Sequence, residues 1–158
     1  MQVAQRIAQM KILLAIDDSE FSKAATQAVI ARIRPRGTQV RVLHVVEPPS
    51  LLVTREMHDD PAIDTAWKAE LELKQAETLV ANTGGMLRSK GLKVSTSVEQ
   101  GDPKSTIVDA ASKWHADLIV LGAHGRKGLA RFLMGSVSEG VARHAPCSVE
   151  IVRIPSRR

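Results

Sequence analysis

Cysteine and aromatic residues are scarce in this chain of 158 residues. It contains one cysteine, Cys147, two phenylalanines, two tryptophans and no tyrosine. A single cysteine excludes a disulfide within the chain and fits a reducing compartment. We expect Cys147 to be a small buried residue rather than a nucleophile. The core must be aliphatic, and the shortage of rings argues against single-stranded nucleic acid, whose bases commonly stack on aromatic side chains.

The sequence also lacks a long apolar run and a concentrated patch of charge. No stretch is long enough to span a bilayer, and residues 1–10 lack the apolar core of a signal peptide. We therefore expect a cytoplasmic protein with no membrane partner. The net charge is +5, but the lysines and arginines are scattered apart from Arg126-Lys127 and the C-terminal tail. A solvated basic surface explains this charge better than a nucleic-acid site does.

Apolar runs alternate with helical patterns along the whole chain. The order β-α-β-α-β-α-β-α-β predicts an α/β fold, an open parallel sheet with helices on both faces. We divide the chain into an N-terminal extension (1–10), one domain (11–154) and a C-terminal tail (155–158). The five strands are predicted at residues 11–16, 39–46, 92–98, 117–121 and 148–154.

Local signals indicate where the helices begin. Asp18 or Ser19 is a suitable N-cap for the first helix, and Asp102 followed by Pro103 begins the third. The second helix is long, and its buried stripe is predicted to include alanines at positions 66, 69 and 76. Gly84-Gly85 lies within this helix and should weaken or kink it.

A single long insertion, residues 48–61, precedes the second helix. It contains His58-Asp59-Asp60, three residues whose side chains could bind a metal. They are adjacent in a loop and have no further partner in the pattern, so a lid over a ligand is the more plausible role.

The stretch with the clearest chemistry follows the fourth predicted strand. The apolar run ends at Gly122, Gly125 lies in the loop that follows, and Gly135-Ser136 begins the next helix. Glycines let a backbone approach a ligand closely, and free N–H groups at a helix start attract anions. Ser136-x-x-Glu139 also matches a capping box, so Ser136 contacts phosphate, caps the helix, or does both. Arg126-Lys127 either adds positive charge to the anion site or is solvated.

This spacing resembles the nucleotide-binding motif of the universal stress protein family, Gly-2x-Gly-9x-Gly-(Ser/Thr), at every specified position. The resemblance extends from Lys11 to Arg153. It implies a Rossmann-like sheet of the adenine nucleotide hydrolase type with strand order 3-2-1-4-5. It also implies a homodimer that forms through the last strand, Ser148 to Ile154.

The resemblance further implies a site for ATP with Mg²⁺. Asp17 is expected near the adenosine and the metal, with helix capping as its alternative role. The adenine is expected to lie against Ala15, Ile16 and Val45. His124 either hydrogen bonds to phosphate or ribose or is a neutral surface residue. The implied metal ligand is Asp17, and the implied nucleotide-binding residues are Ala15, Ile16, Asp17, Val45, Leu121, Gly122, Ala123, His124, Gly125, Arg126, Lys127, Gly135, Ser136 and Val137.

The functional hypothesis is a universal stress protein that binds ATP with Mg²⁺ and acts as a nucleotide-dependent regulator of the stress response. Two alternatives stay open: a slow ATPase, and a dimeric interaction module whose nucleotide site is unused. The chain has no Gly-x-x-x-x-Gly-Lys-(Ser/Thr) sequence, which excludes a P-loop enzyme. No Ser-Gly-Gly-x-Asp loop follows the first strand, which argues against an ATP pyrophosphatase. We assign no catalytic residue and expect weak ATP hydrolysis at most.

Overall fold

The chain folds around a parallel sheet in the computed structural model, which describes residues 9–32, 37–48, 61–125 and 133–155. The described part of the sheet has five parallel strands in the order 3-2-1-4-5, numbered along the chain, which confirms the predicted fold class. Each strand lies within two residues of its predicted bounds. The strands are β1 (Lys11–Ala15), β2 (Gln39–Val46), β3 (Lys93–Gln100), β4 (Leu118–Gly122) and β5 (Ser148–Val152). The helices are α1 (Glu20–Arg32), α2 (Pro61–Ser89), α3 (Pro103–Trp114) and α4 (Ser136–His144).

Helices cover both faces of the sheet, and this explains the uninterrupted apolar run of β1. Ile12 and Leu14 pack in one cluster with residues of α1 and α2. Leu13 packs on the opposite face with residues of α3 and α4. All three side chains are fully buried. A parallel strand buried on two faces shows no alternation of apolar and polar residues.

Cys147 lies just before β5 and packs against the cluster on the α3 and α4 face. Cys147 is half-buried, so the predicted burial is only partial. Burial raises the pKa of the Cys147 thiol, and the negative charge of Asp117 acts in the same direction. Since the thiolate is the reactive form, this environment supports a packing role.

The predicted caps of α1 and α3 are present. Ser19 accepts a hydrogen bond from the Ser22 N–H at 3.2 Å, and Asp102 accepts one from the Ser105 N–H at 3.0 Å. Pro103 is the first residue of α3, where its missing N–H costs nothing. These caps turn the chain directly after β1 and β3, at the carboxyl edge of the sheet.

The long helix α2 differs from its prediction in two ways. It continues through Gly84-Gly85 without a break. Gly84 also lies close to β3, since a methyl group there would lie 2.8 Å from Thr96 Cγ2. Ala66 and Ala69 are exposed, whereas Ala76 is buried. At about 1.5 Å per residue a helix of 29 residues outruns its neighbouring strands, so its first half extends past the sheet. Although α2 is long, no helix in the described ranges is long and apolar enough to cross a membrane.

Candidate functional site

A cleft of about 1130 Å³ opens at the carboxyl ends of β1, β2 and β4. The sheet order reverses between β1 and β4, and open α/β sheets bind ligands at such switch points. The cleft therefore lies where the topology favours a ligand. The predicted site residues that line it are Ala15, Ile16, Asp17, Val45, Leu121, Gly122, His124, Gly125, Gly135, Ser136 and Val137.

One predicted site residue within the described ranges, Ala123, is not among those lining the cleft. Ala123 is only 1% exposed and contributes to the loop through its backbone. Arg126 and Lys127 lie outside the described residues, as do His58-Asp59-Asp60 and most of the insertion that contains them.

Each motif glycine is placed against an atom of the protein itself. A methyl group at Gly122 would lie 2.6 Å from Phe21 Cβ and 2.8 Å from the Phe21 carbonyl carbon. At Gly125 it would lie 2.8 Å from Asp17 Oδ2, and at Gly135 it would lie 3.0 Å from the Ala123 carbonyl oxygen. The glycines thus let the loop pack against α1, the turn after β1 and the start of α4, and this packing forms the wall of the cleft.

The start of α4 faces the cleft without a side-chain cap. Gly135 is the N-cap residue, and Ser136 is the first residue inside the helix. The predicted capping box was therefore wrong, because Ser136 lies one position too late to act as the cap. Among the described residues Ser136 has no hydrogen-bond partner for its hydroxyl, and its side chain is exposed. The first helical bond runs from the Glu139 N–H to the Gly135 carbonyl, so the N–H groups of residues 136–138 have no partner within the helix.

Ser138 connects α4 to the glycine loop and was missed by the sequence analysis. Its side chain is 2% exposed, and its Oγ lies 2.9 Å from the Ala123 carbonyl oxygen and 3.0 Å from that of Gly135. The Gly135 N–H also donates to the Ala123 carbonyl at 2.8 Å. These bonds hold the helix start beside the loop. A second serine two residues after Ser136 was the only signal that could have indicated it.

Asp17 joins the end of β1, the start of α1 and the glycine loop. Its Oδ1 accepts hydrogen bonds from the Ser19 N–H at 2.9 Å and from the Ser22 hydroxyl at 2.8 Å. Its Oδ2 lies towards Gly125. The carboxylate thus stabilises the turn into α1 and also faces the cleft, so the two alternatives for this residue are compatible.

The described ranges contain no group of three or more His, Cys, Asp or Glu residues that could hold a metal ion. Mg²⁺ is commonly bound by one or two carboxylates together with the phosphates of a ligand. Asp17 is a carboxylate of the right kind for such a shared site, but it does not form a metal centre by itself.

On the side of the cleft where the adenine is predicted to bind, the backbone N–H and C=O groups differ in whether they already have hydrogen-bond partners. The Ile16 N–H donates to the Leu43 carbonyl at 2.9 Å, and the Ile16 carbonyl lies 2.7 Å from Nδ1 of buried His44. His44 therefore carries its proton on Nδ1, a contact that the sequence did not predict. Alternate residues of a parallel strand direct their N–H and C=O groups to opposite neighbours. Val45 therefore directs its groups to the same side as Leu43, past the end of β1.

His124 is half-buried and packs its ring edge-on against Phe21, with ring centroids 5.0 Å apart and planes at 67°. The alternative that His124 is only a surface residue is incomplete, because its ring helps to hold the loop on α1. It also lines the cleft. The glycine loop, the end of β1 and the start of α4 thus line one cleft. This cleft can hold an anion at the start of α4 and a flat group beside Val45.

Comparison with known proteins agrees with this geometry. A sequence profile of the universal stress protein family matches residues 10–153. Universal stress protein Sll1388 of Synechocystis is 35% identical over 149 residues, covering 90% of this chain and 97% of that protein. A solved structure of MJ0577, the subject of a structure-based assignment of biochemical function, is 28% identical with a TM-score of 0.81, covering 94% and 99% of the two chains.

More distant structures share the fold and hold nucleotides. A family protein of Arabidopsis thaliana with AMP bound is 17% identical, with a TM-score of 0.62 over 93% of each chain. The universal stress protein of Archaeoglobus fulgidus in complex with dAMP is 22% identical, with a TM-score of 0.57, covering 90% and 96% of the two chains. The profile match over nearly the whole chain, with the curated relative beside it, establishes that this chain belongs to the universal stress protein family.

Proposed function

We propose that this protein binds ATP together with Mg²⁺ in the cleft between β1 and β4 and acts as a nucleotide-dependent regulator of the stress response. The observation that carries the proposal is the uncapped start of α4, which faces the cleft beside the glycine loop. Free N–H groups at a helix N-terminus attract phosphate.

Each part of the nucleotide has a proposed contact. The phosphates bind the N–H groups at the start of α4 and those of His124 and Gly125 in the loop. The base lies against Ala15 and Ile16, with the N–H and C=O of Val45 available to its edge. Asp17 lies near the adenosine and shares the Mg²⁺ with the phosphates. When bound, Mg²⁺ neutralises phosphate charge that would otherwise be repelled by this carboxylate.

The nucleotide-bound relatives support the choice of ligand. The Arabidopsis and Archaeoglobus structures hold AMP and dAMP, so the fold accommodates an adenosine monophosphate. ATP adds two phosphates, and the free N–H groups at the start of α4 lie beside the loop in a position to bind them. Binding rather than turnover is the proposed activity.

Calorimetric titration of the protein with ATP and Mg²⁺ tests the proposal, with Ser136→Glu as the variant. A glutamate in the first turn of a helix favours the helix dipole, so this variant should fold while its charge repels phosphate. Gly122→Val is a poorer choice, because the added side chain would displace Phe21 as well as a ligand. The matched control is Ala81→Glu, which adds the same charge at an exposed position of α2 that does not line the cleft.

We expect the wild type and Ala81→Glu to bind ATP and Ser136→Glu to lose at least about ten-fold in affinity, the scale of one charge-assisted contact. Adenosine, which has no phosphate, should bind wild type and Ser136→Glu alike. Absence of binding by nucleotide-free wild type would contradict the proposal and leave a dimeric interaction module. Equal ATP affinity in all three proteins would contradict the phosphate site.

We also propose that two copies associate through β5. This strand is the last in the described sheet order, so one of its edges is unpaired by the sheet. Ile154, just beyond β5, is 40% exposed. Open edge strands pair readily with a second copy, and a two-fold axis makes such pairing self-complementary.

A further inference from the structure

The hydrogen-bond ladder between β1 and β2 ends one bond earlier than the backbone of β2 would allow. In a parallel ladder a residue donates its N–H to one residue of the neighbouring strand and accepts, through its carbonyl, from the residue two positions further along. The Ile16 N–H donates to the Leu43 carbonyl at 2.9 Å, so the regular continuation would be a bond from the Val45 N–H to the Ile16 carbonyl. In the described part of the chain this bond is not formed, and the pairing of β1 with β2 ends at Ala15 and Leu43.

The side chain of His44 bonds to the Ile16 carbonyl instead. Its Nδ1 lies 2.7 Å from that oxygen, and the residue is only 8% exposed. Alternate side chains of a strand lie on opposite faces of the sheet, so His44 shares the face of Val40 and Val42, which pack with residues of α1 and α2. The Ile16 carbonyl is therefore directed towards that face, out of the plane of the sheet in which the Val45 N–H lies.

Val45 is left with an N–H group that neither neighbouring strand uses. The Val46 carbonyl accepts from the Gly101 N–H at 3.1 Å on the β3 side, and this places the backbone groups of Val45 on the opposite side, past the end of β1. Val45 is half-buried and lines the cleft. Among the described residues the Val45 N–H thus has no protein acceptor, and it opens on the cleft.

We propose that His44 is a positioning residue of the nucleotide site: by holding the Ile16 carbonyl, it keeps the Val45 N–H free for a ring nitrogen of the base. The inference rests on the proposed function, since the nucleotide brings the base to Val45. Adenine carries an acceptor nitrogen on each side of its amino group, N1 and N7, and such a pair of acceptor and donor matches a free N–H beside a free carbonyl. Without the imidazole, the Ile16 carbonyl would return to the plane of the sheet and accept from the Val45 N–H, because buried backbone groups pair when a partner is within reach.

Variants of His44 separate the hydrogen bond from the packing. His44→Asn keeps an N–H donor close to the position of Nδ1, whereas His44→Leu has nearly the shape of asparagine and no donor. His44→Phe, which keeps a ring without a donor, replaces His44→Leu if that variant does not fold. The matched control is Thr26→Val in α1. Thr26 is 5% exposed, and its hydroxyl donates to the Ser22 carbonyl at 2.9 Å, so the control also removes a buried side-chain donor to a backbone carbonyl.

Hydrogen exchange of the backbone amides, followed by NMR without nucleotide, tests whether His44 keeps the N–H free. The reference is the Leu43 amide, which lies in the paired part of β2. We expect the Val45 amide to exchange at least about ten-fold faster than the Leu43 amide in wild type, Thr26→Val and His44→Asn, and at a similar rate in His44→Leu. A change in global stability affects both amides, so their ratio reports the local bond. A Val45 amide as slow as that of Leu43 in wild type, or a ratio unchanged in His44→Leu, would overturn the inference.

Calorimetry with ATP, 1-deaza-ATP and 7-deaza-ATP, in the presence of Mg²⁺, tests whether the base uses this N–H. Each analogue lacks one ring acceptor. Wild type, Thr26→Val and His44→Asn should bind at least one analogue about ten-fold more weakly than ATP, since a donor is left without its partner. In His44→Leu that ratio should fall to near one.

The other outcomes of the titrations separate this inference from the proposed function. A purely structural role of His44 would weaken all three nucleotides equally in His44→Leu and leave the ratio unchanged, which would overturn the inference. Wild type that binds all three nucleotides alike would also overturn it, while the proposed function would stand. Wild type that binds none of them would overturn both.

Discussion

At the scale of single residues, each motif glycine lies close to an atom of the protein itself, so the fold requires it independently of any ligand. Gly122 is required by the backbone of Phe21, and Gly125 by the carboxylate of Asp17. The sequence analysis attributed these glycines to close approach of a ligand, whereas the structure shows close approach of the protein's own atoms. The contacts of the loop with α1 and with the turn after β1 are visible only in the folded chain.

Serines at three positions were judged incompletely from the sequence. For Ser136 helix capping was one of the alternatives, but the residue lies inside α4. Ser138 and Ser22 are buried and hold the loop and Asp17. Serine is common in turns and on surfaces, so its presence in a sequence carries little information about burial. The partner atoms decide its role.

Asp102 allows a prediction at the same scale. Hydrogen bonds, above all from the Ser105 N–H, hold the pKa of this carboxyl below its ordinary value of 3.8. Asp102→Ala should lower the free energy of unfolding by about 0.5–2 kcal/mol at pH 7, as loss of an N-cap does. Denaturation by urea measures this loss.

The pH dependence of the same cap follows from the lowered pKa. A group with a lower pKa in the folded state stabilises the fold above its unfolded pKa, and this contribution is lost as the pH falls through the folded value. Asn caps without titrating, so wild type should lose stability relative to Asp102→Asn as the pH is taken from 7 to 3. A constant difference between these two proteins would contradict the charge-based part of the explanation.

At the scale of elements, the positions of strands and helices along the chain follow from the local sequence pattern, but the packing between them does not. The pair Gly84-Gly85 in α2 illustrates the difference. A methyl group at Gly84 would meet Thr96 of β3, whereas at Gly85 it would meet nothing within 4 Å. Two identical neighbours in the sequence thus have opposite surroundings.

We therefore predict opposite effects of alanine at the two positions. Gly85→Ala should raise the free energy of unfolding by about 0.5–1 kcal/mol through helix propensity. Gly84→Ala should lower it by about 1 kcal/mol, because overpacking outweighs that gain. Thr96→Ser removes the obstructing methyl group and should restore Gly84→Ala in the double variant. Urea denaturation of the four proteins checks this, and equal stabilisation by both alanines would contradict the close contact of α2 with β3.

At the scale of the whole molecule, the open edge of β5 provides the test of assembly. The Val152 carbonyl accepts from the Ala123 N–H on the β4 side, so the neighbouring Arg153 directs its N–H outward. Arg153→Pro removes this outward donor from an exposed position, with Arg153→Ala as the control for the side chain. We expect wild type and Arg153→Ala to be dimers and Arg153→Pro to shift towards monomer.

Light scattering coupled to size-exclusion chromatography measures that shift. A monomeric wild type would refute association through β5, as would a dimer that is indifferent to the proline. Nucleotide titration of the monomeric variant would then show whether the cleft works within one chain, as expected for a site formed by β1, β2 and β4.

The sequence by itself determined the order of elements, the parallel sheet, the caps of α1 and α3 and the motif that resembles a nucleotide site. These depend on side-chain periodicity and on the backbone preferences of glycine, proline and capping residues, which act over a few positions. Tertiary structure alone decided that Asp17 meets Gly125 and that His44 holds Ile16. Such contacts join residues far apart in the chain, and their partners are set by strand order and side-chain direction.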